Sequence, residues 1–130
     1  MADSIFTKII KGEIPSHKIY EDDKTFAFLD IHPKAPGHTL VVSKKQIDQP
    51  WDLPDDDYRA VMETVKKVAN RIRDVLKPRR VGVEIIGVDV PHTHIHVFPF
   101  DDMVDFRRPV DMSAEPDHEA LETMAKRLAF

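Results

Sequence analysis

Cysteine is absent from the 130 residues. That excludes a disulfide framework and any thiolate-ligated zinc, and a cytoplasmic location is expected. No stretch of 18 apolar residues occurs, so no membrane span or membrane partner is expected. The N-terminus has no long apolar run and no small-residue cleavage site, so no secretory leader is expected. Positive charge is in deficit: 19 Lys and Arg face 23 Asp and Glu, giving −4 overall and a pI near 5.9. A nucleic-acid binder usually carries a basic face. No nucleic-acid partner is therefore expected, although a nucleotide held by a few local groups stays open. Internal repeats and low-complexity tracts are also missing. What remains is an ordinary globular composition, long enough for one domain with a real core.

The organising stretch is Pro91-His92-Thr93-His94-Ile95-His96-Val97-Phe98-Pro99. In a strand, alternate side chains share a face. His92, His94 and His96 would then form one row, with Thr93, Ile95 and Val97 facing the other way. Three imidazoles in strict alternation are costly to align without a partner. A metal or an anion such as phosphate would supply one. Neighbours in the row are about 6.6 Å apart and the outer pair about 13 Å, whereas zinc wants its ligands at about 2 Å. A straight strand could bring two of the three to a metal, with His38 or Asp89 as further ligands. An extended phosphate ligand suits a row better.

Other elements follow from pattern. Ser4 precedes Ile5 to Lys11 and Gly12 follows, which predicts a short capped helix with Ile5, Phe6, Ile9 and Ile10 on its apolar side. Residues 18–21 and 25–30 flank Asp22-Asp23 and predict a hairpin. Residues 31–37 are a loop, and 38–43 read as a strand. The stripe Tyr58, Val61, Met62, Val65, Val68, Ala69, Ile72, Val75 and Leu76 predicts a long helix over 55–76. Its acidic start, Asp55 to Asp57, reads as solvated, and Glu63 and Lys67 as an i, i+4 pair. Residues 81–86 read as a strand pairing with the histidine strand, 100–116 as irregular, and 117–130 as a final helix capped by Asp117. His17, His32 and His118 read as ordinary surface histidines. Strands clustered apart from helices predict an α+β fold with a mostly antiparallel sheet.

Together these segments resemble the histidine triad (HIT) family, in its nucleotide-binding branch. The likeness rests on the His-x-His-x-His run, on Ser4-Ile5-Phe6 through Lys11-Gly12-Glu13-Ile14-Pro15, and on Glu21-Asp22-Asp23. It extends to Ala27-Phe28-Leu29-Asp30-Ile31 and to Ala35-Pro36-Gly37-His38-Thr39-Leu40-Val41-Val42 with Lys44-Lys45. It covers residues 4–99. The resemblance implies a five-stranded sheet with one long helix and a short N-terminal helix. It places a nucleotide-binding domain at 1–99 and an extension at 100–130 that joins the same domain or a dimer interface. It implies a metal-independent hydrolase or transferase, without cofactor, that cleaves a purine nucleoside phosphoramidate or related adenylate, and a homodimer. By position, His94 would be the nucleophile, His96 would contact the phosphate and assist the leaving group, and His92 and His38 would support them. Asp30 would hold the ribose, and Ile5, Phe6, Ile9, Phe28 and Ile31 would line the base pocket. The loop before the triad is shorter than the family's. Val88 and Asp89 stand where the family has a glutamine and a serine, so the alternative is a purine nucleotide-binding module with weak catalysis.

Overall fold

The computed structural model describes residues 2–130. Helix α1 (Ile5–Ile10) is followed by strands β1 (Lys18–Glu21), β2 (Thr25–Leu29) and β3 (Thr39–Ser43). A short 3-10 turn at Pro50–Asp52 leads into α2 (Asp55–Leu76), then β4 (Arg80–Glu84), β5 (His94–Phe100), α3 (Met103–Arg107) and α4 (His118–Leu128). The strands form one five-stranded sheet in the order β1-β2-β3-β5-β4, with every neighbouring pair antiparallel. The α+β expectation holds.

The β1–β2 hairpin lacks an Asn-Gly turn and has another device. Asp22 Oδ1 accepts from the Lys24 and Thr25 amides and from the Thr25 hydroxyl, at 2.8 to 2.9 Å. An acidic side chain thus closes the turn in place of backbone at positive φ.

Strand alternation gives the sheet two buried faces. On one, Ala27, Leu29, Val41, Ile95 and Val97 meet Val61, Val65, Val68 and Ile72 of α2. Spacings of four, three and four keep those α2 residues on one stripe. Each such burial contributes about 1.5–3 kcal/mol. On the other face, Phe26, Phe28, Leu40 and Val42 pack with Phe6 of α1. Gly37, at φ 99°, lets the chain turn into β3 beside α2, where an added Cβ would lie 2.6 Å from Leu76.

The helices depart from expectation in three places. Asp57 is buried rather than solvated, because Lys45 and Lys24 reach it at 2.9 and 3.4 Å. Hydrogen bonding to Lys45 holds its carboxyl below the usual range. Lys67 turns from Glu63 to donate to the Tyr20 hydroxyl at 3.1 Å. Residues 100–116 are not wholly irregular: Asp102 caps α3 by accepting from the Asp105 amide, and the Phe106 ring packs at a tilt against Phe98 and Phe100. A five-residue helix is too short for an apolar stripe to announce it.

Helix α4 is capped by Asp117, as expected. It buries Leu121, Ala125 and Leu128 in the core beneath α2 and β1. Arg71 of α2 donates to the carbonyls of Arg127, Leu128 and Ala129, satisfying groups that a helix end leaves unpaired. Phe130 donates its amide to Ile19 and stacks on Tyr20. No helix among the described residues is long and apolar enough to cross a membrane.

Candidate active site

The site lies on the α1 face of the sheet. His94 and His96 pair with Val42 and Leu40 of β3, and directly paired residues share a face. The two imidazoles therefore share a face with Phe28, and Phe6 of α1 lies between, against both Phe28 and His94. The Phe6 ring is 4.9 Å from His94, and His94 is 5.4 Å from His96, both edge to face.

Strand β5 starts at His94 and not at Pro91, so the three histidines do not form one straight row. The Thr93 amide leaves the ladder and donates to the Ile47 carbonyl at 2.7 Å. His92, fully buried, points to the start of α1. Its Nδ1 accepts from the Ser4 hydroxyl at 2.7 Å, and its Nε2 donates to the Ser43 carbonyl at 2.6 Å. Ser4 also caps α1 by accepting from the Thr7 amide. Gln46 Oε1 accepts from the Ser4 amide and the Thr7 hydroxyl, each at 2.7 Å. Ser4, Thr7, Ser43 and Gln46 were not predicted as site residues. They lie 46 to 88 positions from His92, and no local pattern links them.

The hydrogen bonds fix the proton positions, because a carbonyl can only accept and a backbone amide can only donate. His94 Nδ1 donates to the His92 carbonyl at 2.7 Å, so its Nε2 carries the free lone pair. His38 Nδ1 accepts from the Lys34 amide at 2.9 Å, so its Nε2 bears the proton. That proton is donated to His96 Nδ1 at 3.0 Å, which leaves His96 Nε2–H as a free donor. Burial lowers the affinity of His38, His92 and His96 for a second proton. For His38 the result is a pKa of about 4, with Asp30 pulling upward and His96 downward.

Asp30 sits half-buried at the end of β2. Its Oδ1 accepts from the His32 amide at 2.9 Å, and its Oδ2 lies 3.7 Å from His38 Nε2. Asp30, His38 and His96 lie close enough to share a cation. His38 presents a proton there and not a lone pair, and it would have to surrender the Lys34 hydrogen bond to ligate. The donor set as arranged suits a proton network better than a metal.

The expected base-pocket residues divide. Phe6 is buried beside His92 and His94, Phe28 is buried behind it, and Ile9 is half-buried against the phenylalanine cluster. Ile5 and Ile31 are exposed at the border. Val88 and Asp89 are exposed in the loop after Gly87, whereas Val90 packs back against the phenylalanine cluster. Strand β4 ends at Glu84, so Ile85 and Ile86 belong to this loop. Of the histidines read as ordinary, His17 and His118 meet at 3.0 Å across the chain's two ends.

Residues 11–103 match the model of the HIT domain. The chain is similar to an uncharacterised HIT-like protein of Borreliella burgdorferi, 40% identical over 106 residues that cover 76% of each chain. It is also similar to an adenosine 5'-monophosphoramidase of Saccharomyces cerevisiae, 38% identical over 96 residues covering 73% of this chain and 61% of the yeast protein. Among solved structures, a Hit-like protein of Bartonella henselae superimposes with a TM-score of 0.85 at 32% identity. That match covers 97% of this chain and 93% of the other.

Proposed function

The chain belongs to the HIT domain family, and from that premise we propose a metal-independent hydrolase of purine nucleoside phosphoramidates. The yeast relative's activity supports the substrate class. The observation that carries the reading is the His94 hydrogen bond: Nδ1 donates to the His92 carbonyl, so in the neutral ring the lone pair is on Nε2, on the same face as the His96 donor.

In this reading the purine lies against Phe6, Ile9 and Phe28, with Ile5 and Ile31 at its border. Apolar walls suit such a ring. Asp30 accepts from the ribose diol, and the α-phosphate rests over His94 and His96. His94 Nε2 bonds to phosphorus as the phosphorus–nitrogen bond breaks. The departing nitrogen takes a proton from solvent and leaves with the phosphorus–nitrogen electron pair as an amine, whose lone pair then accepts from His96 Nε2–H. Water oxygen then bonds to phosphorus, the His94 bond breaks, and the water's proton returns to solvent. The monophosphate is the product. His96 Nε2–H also stabilises charge building on the phosphate oxygens, where a fixed donor is most effective. His92 and His38 hold the tautomers of their neighbours.

We also assign residues 1–99 to the nucleotide-binding unit and 100–130 to an extension of it. We expect a homodimer working in the cytoplasm. The free edge of β4, with Val83 exposed, supports a second copy pairing there; the lack of cysteine supports the compartment. His94→Ala should abolish monophosphate release while leaving the circular dichroism spectrum unchanged, and a chelator should leave wild-type turnover intact. Chelator-sensitive activity would contradict the scheme.

One observation favours a second reading. Val88 and Asp89 are exposed and bring neither an amide donor nor a hydroxyl to the phosphate. A binding module with weak catalysis would bind the monophosphate tightly in calorimetry and release none from a phosphoramidate.

A further inference from the structure

His17 and His118 take no part in the reaction described above, and yet they meet. His17 Nε2 and His118 Nδ1 lie 3.0 Å apart, from positions 101 residues apart in the chain. His17 stands half-buried just before β1, and its carbonyl accepts from the Leu29 amide of β2 at 3.0 Å. His118 is the exposed first residue of α4, in a turn that Asp117 caps by accepting from the Ala120 amide. Both backbones are held by hydrogen bonds, so the two rings converge from fixed positions.

A hydrogen bond between two solvent-facing imidazoles replaces bonds that each ring would make to water, and it gains little. A shared ligand accounts for the convergence better. Zinc binds imidazole nitrogens at about 2.0–2.1 Å in a tetrahedron, which sets two of them roughly 3.3–3.4 Å apart. The 3.0 Å pair has to open only slightly to admit the ion. Burial, and then the neighbouring His118, lower the affinity of His17 for a second proton. One ring donates to the other in the pair. Moving that proton through water to the ring's far nitrogen leaves both facing nitrogens with lone pairs.

Glu122 supplies a third ligand. It follows His118 by one turn of α4, and residues four apart share a helix face, the spacing at which a helix presents two ligands to one metal. Its charge already acts on His17, favouring a cation there. Its partner Lys126, at 3.4 Å, forms an exposed pair that offers little resistance to exchange. Asp117, Glu119 and Glu122 also offset the positive pole at the start of α4.

The geometry points to a structural site for one zinc-class divalent cation, held by His17 Nε2, His118 Nδ1 and a Glu122 carboxylate oxygen, with water as the fourth ligand. The ion ties the first turn of α4 to the segment entering β1. Helix α4 packs on the sheet face opposite the histidine row, so turnover takes nothing from the ion. Its effect is on stability, because the unfolded chain does not hold these three groups together.

The test titrates chelator-washed protein with zinc chloride by calorimetry and reads the thermal unfolding midpoint with and without zinc. Wild type is compared with His17→Ala, His118→Ala and Glu122→Gln. Wild type should take up one zinc per chain at this site, and its midpoint should rise. Each histidine variant should bind at least about 10–100-fold more weakly, the loss that follows even from removing an outer partner of a metal site, and should lose the rise. Glu122→Gln should also bind more weakly than wild type. Absence of zinc binding by wild type would overturn the site. So would histidine variants that keep wild-type affinity, a result that would move the ion to Asp30, His38 and His96. Proton NMR of wild type gives a reading that needs no substitution. One equivalent of zinc should shift the ring resonances of His17 and His118, and shifts confined to the histidine row would refute the assignment.

Discussion

At the residue scale, the site is a set of assigned tautomers. In their neutral forms His92 carries its proton on Nε2, His94 on Nδ1 and His38 on Nε2, each set by a carbonyl or an amide that cannot reverse its role, and the His38 proton in turn sets His96 on Nε2. This order has a pH signature. His38 has a pKa of about 4 in the fold, against about 6.5 in an unfolded chain. Between those values the unfolded chain binds more protons, so stability falls as pH drops from 6.5 toward 4 and the contribution levels off below. Denaturant midpoints at pH 6.5 and 5 should fall in wild type and fall less in His38→Gln. Equal slopes in the two proteins would refute the assignment. Ser4 offers a second residue-scale check. Ser4→Ala removes the α1 cap and the donor to His92, and should cost about 0.5–2 kcal/mol; an unmoved denaturant midpoint would count against the clamp. The His-x-His-x-His spacing was legible as a site because alternation needs only local pattern. The clamp was not legible, since Ser4 and Gln46 act on His92 through tertiary contact.

At the scale of elements, legibility followed length. Helix α2 was readable from its stripe over 22 residues, and the strand count from alternation. Helix α3 has only five residues and leaves no stripe in the sequence, and β5 starts at His94 rather than at Pro91 because Thr93 bonds to Ile47 outside the ladder. Helix α4 was visible as a stripe, but its destination was not. It completes the core beneath α2, with Leu128 fully buried. Leu128→Ala should therefore destabilise the whole fold by about 2–5 kcal/mol, read as a shifted denaturation midpoint. A loss of only a few tenths would mean that α4 is an accessory to the domain.

At the scale of the molecule, the sheet divides the work. One face is sealed by α2 and α4 and supplies most of the apolar burial. The other carries the short helices α1 and α3 and presents the histidines. Stability and chemistry thus rest on opposite sides of the same strands. The central claim is that His94 forms a covalent bond to the nucleotide. It is tested most directly by intact-protein mass spectrometry after rapid quenching with adenosine 5'-phosphoramidate, comparing wild type, His96→Ala and His94→Ala. The account predicts one adenylyl adduct per chain in wild type or His96→Ala, and neither adduct nor monophosphate release in His94→Ala. Monophosphate release by His94→Ala at the wild-type rate would contradict it.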